Sequence, residues 1–101
     1  MHLTYRFFIK KYQKHDVSEA IADAIITYIL GVSEKHGDAY AEWTVGVAAS
    51  DEGGGKDSFK SWSCKTHAAA IDTKDYFVLT KYMAEGDIDT SEEAVHVFVH
   101  R

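Results

Sequence analysis

The sequence predicts an α+β fold, a small sheet of about three strands packed against helices, in a single domain spanning residues 1–101. Three observations carry that reading. Residues 17–35 place apolar side chains at helical spacing, whereas "YAEWTVGVAA" at 40–49 and "AVHVFVHR" at 94–101 are rich in β-branched and aromatic residues without that period. The order along the chain is helix, helix, strand, strand, helix, strand, with no proline, no repeat and no low-complexity tract beyond three glycines to mark a linker.

Taken in order, residues 3–14 fit a helix that Thr4 can cap, with Arg6, Lys10 and Lys14 on one face and Tyr5, Phe8, Ile9 and Tyr12 on the other. Leu3, Tyr5, Phe7 and Ile9 also alternate as a strand would; the grouping of the basic residues favours helix. Asp16-Val17-Ser18-Glu19 has the form of a capping box and predicts a second helix over 17–35, which Gly37 would stop. Ala20, Ile21, Ala24, Ile25, Tyr28, Ile29 and Val32 form its apolar stripe. Ile26 and Leu30 widen that stripe, so this is the central helix of the domain or else the surface of a homodimer.

A strand follows over 40–49, with Gly46 letting another backbone or side chain come close. A second strand is predicted at 58–64, pinned by Phe59 and Trp62. Asp72 or Thr73 can cap a third helix running to about Glu85, with Tyr76, Phe77, Thr80, Met83 and Ala84 inward and Gly86 as its stop. Val95, Val97 and Val99 alternate with His96, Phe98 and His100 in a closing strand buried on its valine side.

The totals narrow the function. With 46% apolar and 13% aromatic residues the chain can build a core, and 27% charged residues suits a soluble surface. Cys64 is the only cysteine, so no internal disulfide forms and a cytoplasmic location is expected. The longest apolar stretch, near 21–32, contains Asp23 and is too short for a bilayer, so no membrane partner is expected. The basic, aromatic segment 1–14 could follow a nucleic-acid backbone, yet a net charge of −5 for the whole chain disfavours a polyanion.

Gly53-Gly54-Gly55-Lys56 invites comparison with a phosphate-binding loop. Ser50 stands where that motif's first glycine belongs, Asp57 replaces its hydroxyl, and Asp51 and Glu52 add negative charge, so the stretch reads as a connection between strands. Cys64 and His67 have the spacing of half a zinc site, but one cysteine leaves the usual ligand sets incomplete. His96 and His100 on a strand would be ~13 Å apart, at about 3.3 Å per residue. Cys64 with His67 and Asp72 has the elements of an activated nucleophile without a specific pattern. The carboxylate pairs Asp51/Glu52, Asp87/Asp89 and Glu92/Glu93 lie in polar connections and read as solvated surface. No metal and no cofactor is expected.

Trp43-Thr44-Val45-Gly46-Val47, the loop after it, Trp62, His67 and the helix "DTKDYFVLTKYMAEG" resemble the second half of GIY-YIG nuclease-like domains, over residues 43–101. The resemblance implies a strand, loop and helix around a phosphodiester-cleaving site built from a tyrosine, an arginine, a glutamate and a divalent metal. Here Trp43 stands in the tyrosine's place and no arginine occurs between Arg6 and Arg101, leaving Lys56 or Lys60 nearby. Asp75 is the acid nearest the glutamate's place. Lysine replaces arginine's fork poorly on a phosphate, so the resemblance implies a nuclease-like shell without nuclease activity.

The expectation is therefore a non-catalytic cytoplasmic binding or interaction domain that presents Trp43, Lys56, Lys60, Trp62, His67 and Asp75. Two alternatives stand beside it: a divergent metal-dependent nuclease using Lys56, Lys60, His67 and Asp75, and a homodimeric structural protein joined through helix 17–35.

Overall fold

A computed structural model describes residues 16–36, 40–53 and 55–101; the predicted helix over 3–14 and the stop at Gly37 lie outside them. The fold is α+β, and the described residues form four strands rather than about three. Helix α1 spans Glu19–His36. Its cap is Ser18, not Asp16, because the Ser18 hydroxyl accepts the Ile21 amide at 3.3 Å and the Ser18 carbonyl accepts the Ala22 amide at 2.9 Å. Ala22, Ile25, Ile29 and Ser33 form its buried stripe, while Leu30, off that stripe, is 53% exposed.

A single 3-10 turn at Tyr40–Glu42 delivers Trp43 to the sheet. Strands β1 (Thr44–Ala48) and β2 (Lys60–Ser63) follow, then helix α2 (His67–Thr80), β3 (Ala84–Ile88) and β4 (His96–His100). Spatial order in the sheet is β2-β4-β1-β3; β4 is antiparallel to both β1 and β2, and β1 is parallel to β3 with a bulge between Val45 and Val47.

The third predicted helix is corrected at both ends. Helix α2 starts at His67 because the Thr66 hydroxyl accepts the Ala69 amide at 3.0 Å; the expected cap residue Thr73 is fully buried mid-helix and accepts the Ser18 amide. It ends at Thr80, where Tyr82 takes a left-handed φ of 59° and the Met83 amide turns back to the Phe77 carbonyl. Gly86, expected as the stop, lies inside β3, the strand missing from the sequence reading.

Strand parity sorts the sheet. Val45, Val47, Val97 and Val99 point to one side and join Trp43, Tyr76, Phe77, Ile25 and Ile29 in the core, so both helices pack on that face. Lys74 of α2 reaches Asp75 and Glu85 of β3 at its margin, with Glu85 at 2.6 Å. Thr44, Gly46, Ala48, His96, Phe98 and His100 point to the other side. No helix among the described residues is long and apolar enough to cross a membrane.

Candidate functional site

Gly46 is opposite Phe98 in the β1–β4 register, and the Phe98 ring lies across it: a Cβ on Gly46 would stand 2.3 Å from Phe98 Cζ. Phe98 is therefore folded flat against the sheet and stacks on Phe59 at 5.5 Å and 22°, and on His100 at 6.0 Å and 8°. The glycine loop closes over Phe59, since a Cβ on Gly53 would fall 2.5 Å from Phe59 Cγ. Gly55, at φ +78°, allows the turn in which the Lys56 amide bonds the Gly53 carbonyl at 3.2 Å.

These contacts leave a cleft of about 350 Å³ at the C-terminal ends of the parallel strands β1 and β3. Phe59, Phe98 and Ala48 supply its apolar walls, with Val47 and Ile88, whose side chains pack on the helix side, behind them, and Glu52, Lys56, Asp87 and Asp89 form its exposed rim. The Ser91 amide, at 2.9 Å, and the Ser91 hydroxyl hold the Asp89 carboxyl below its ordinary pKa, so it is ionised at neutral pH. The far end of the loop is anchored: Arg101 pairs with Asp57 at 3.0 Å, and the Tyr28 hydroxyl donates to the Ser58 carbonyl at 2.8 Å.

The six residues named from sequence do not converge. Trp43, Lys60 and Trp62 come together around Tyr28 of α1, with ring centroids 5.8 Å (Trp43) and 5.7 Å (Trp62) from it and Lys60 Nζ 5.7 Å above it. Trp43 is fully buried there, so its indole is core and not a contact surface. Lys56 is on the rim of the cleft. His67 opens α2 and donates from Nδ1 to the Ala94 carbonyl at 2.8 Å. Asp75 is paired with the buried ammonium of Lys74. Of the cleft residues, Glu52, Asp87 and Asp89 stand in the carboxylate pairs that the sequence reads as solvated surface, while Phe59 reads as a strand pin and Phe98 as an aromatic on the polar side of an alternating strand.

A second cavity, of about 570 Å³, lies between the starts of α1 and α2 and is lined by Ser18, Ser63, Cys64, Lys65 and Thr66 among others. Burial pushes the Cys64 thiol up, partly offset by a hydrogen bond from Thr73, which disfavours the thiolate a nucleophile needs. Among the described residues no group of three or more His, Cys, Asp or Glu side chains is gathered as a metal site would require.

No family model, no curated protein and no solved structure matches the chain.

Proposed function

We propose that the chain is a small cytoplasmic binding domain without catalysis of its own, and that its ligand sits in the cleft between the glycine loop and the ends of β1 and β3. The observation that carries this reading is the cleft's construction: apolar walls closed by two stacked phenylalanines, and a ring of charged groups at the mouth, in about 350 Å³. That combination of an apolar body and a few polar groups is what a small-ligand site needs. Its position supports the reading too, because ligands of α/β sheets gather outside the carboxyl ends of parallel strands, where β1 and β3 end here.

The groups with reactive chemistry lie elsewhere and are engaged. His67 holds the Ala94 carbonyl, Asp75 holds Lys74, and the Cys64 sulfur is kept protonated by burial. A lone free cysteine supports a reducing compartment.

The test is a titration with 2-phenylethanol, a neutral probe of the apolar walls, followed through backbone amide shifts. Saturable shifts at Gly53, Lys56, Phe59 and Ile88 are expected, with a Kd of about millimolar for so few atoms. Replacement of Gly53 by valine, which must displace Phe59, should remove them. Silence at all four amides up to the probe's solubility overturns the proposal.

A further inference from the structure

We infer that the ligand of the cleft is a low-mass organic cation, a protonated amine or guanidinium on an aromatic or branched aliphatic body. The body lies against Phe59, Phe98 and Ala48, and the cationic head among Glu52, Asp87 and Asp89. The inference rests on the binding reading above and adds the ligand's charge. Three carboxylates and one ammonium line the same mouth, so an anion entering it faces net repulsion, and a neutral ligand gains only from the walls. Asp89 is held in its ionised form by Ser91, so its charge persists at neutral and mildly acidic pH.

The walls hold the ligand's body. Phe59 lies between Gly53 and Phe98, so it gives the body apolar contact at the cleft and leaves the cationic head to the exposed carboxylates of the rim. Size sets the rest: about 350 Å³ is the lower end of ligand clefts, enough for a single aromatic amine and too little for a folded partner. Lys56, on the same mouth, gives the one point where a carboxylate on the ligand would find a counter-charge, which suits a zwitterion better than a simple anion.

Three probes of one shape test this: phenethylamine, 2-phenylethanol and 3-phenylpropionate, each titrated against the full chain with amide shifts at Gly53, Phe59 and Ile88 as the readout. The amine should bind about tenfold more tightly than the alcohol at low salt, and the acid more weakly than the alcohol. Added salt should narrow the gap between amine and alcohol. In the double variant E52Q/D87N the amine should fall to about the affinity of the alcohol. Equal binding of amine and alcohol to the wild-type chain overturns the cation assignment and leaves the binding reading standing, whereas failure of all three probes overturns both. An arginine-containing pentapeptide is the remaining arm; if it displaces the amine at a tenth of the concentration, the occupant is a peptide side chain and the low-mass assignment fails.

Discussion

The two faces of the sheet are built by opposite means. On the helix side, Val45, Val47, Val97 and Val99 meet Trp43, Tyr76 and Phe77, and volume is filled until every one of these side chains is at most a few per cent exposed. On the other side space is made by leaving side chains out. Gly46 and Gly86 flank the ring of Phe98, and Gly53 lies over Phe59, so two aromatics lie flat along the sheet instead of standing up from it. The filled face is tight along the strands, and its cavity lies only where the two helices start. The subtracted face ends in a cleft, because rings lying parallel to the sheet leave the mouth beyond them open.

The sharpest way to break the contrast is to restore one missing methyl. In Gly46→Ala the new Cβ would meet Phe98 Cζ at 2.3 Å and the Asp87 carbonyl oxygen at 2.5 Å. A phenyl ring can swing aside, but the carbonyl belongs to the neighbouring strand's backbone and moves only with β3. The expected loss is about 3 kcal/mol or more, at the upper end of overpacking effects, read as a lower urea midpoint at unchanged slope. Loss of the 2-phenylethanol shifts should accompany it in whatever fraction remains folded. A stability within about 0.5 kcal/mol of wild type would mean that Phe98 and β3 are not held as described.

How much of this was legible beforehand follows from which contacts are local. Helix α1 was readable because its stripe repeats every turn, and β4 because valine alternates with polar residues; the close approach at Gly46 was readable too, though not which ring would fill it. Strand β3 was not readable: "AEGDI" has one β-branched residue and a glycine, and it is a strand because β1 offers it a parallel edge. The start of α2 was missed because "HAAAI" lacks an apolar period; a threonine cap and alanine's helix propensity make it helical. The cleft was the least legible feature, since Phe59 and Phe98 meet through sheet pairing across 39 residues of chain (98 minus 59). Trp43, Lys60 and Trp62 cluster instead around Tyr28, which the helical period places only in the apolar stripe of α1.

A smaller break applies to the margin of the filled face, where Lys74 is buried against Asp75 and Glu85. Burial pushes the Lys74 pKa down, but the hydrogen bonds and charges of the two carboxylates outweigh it and the net shift is upward. A raised lysine pKa stabilises the fold fully below the ordinary lysine value of 10.5 and loses that contribution as pH climbs through the raised value. Replacing Lys74 with methionine keeps the stem's packing, and Glu85, half-exposed, can turn to water, so the expected cost at pH 7 is about 1 kcal/mol. The gap between wild type and K74M, measured by urea unfolding at stepped pH, should shrink above about pH 10.5. Tyr40, Tyr76 and Cys64, all shifted upward by burial, also erode stability in alkali, but they are common to both chains and cancel in the difference. A gap that stays constant up to pH 11 would show that the ammonium contributes nothing through its charge.

The smallest effect tests whether the cost at Gly46 belongs to the subtracted face or to any loss of glycine. Gly31 lies inside α1, exposed, and a Cβ built on it has nothing within 4 Å. Glycine in a helix interior costs about 0.5–1 kcal/mol relative to alanine, because its unfolded chain has more freedom to lose. The same substitution, Gly31→Ala, should therefore raise the urea midpoint by the equivalent of about 0.5–1 kcal/mol and leave every amide shift of the cleft in place. Opposite signs at residues 31 and 46 would assign the penalty at Gly46 to Phe98 and the Asp87 carbonyl, since the chain-entropy gain is common to both sites. If Gly31→Ala were destabilising instead, the outer side of α1 would have to be covered by something that a methyl group displaces, and α1, not the cleft, would become the first surface to search for a partner.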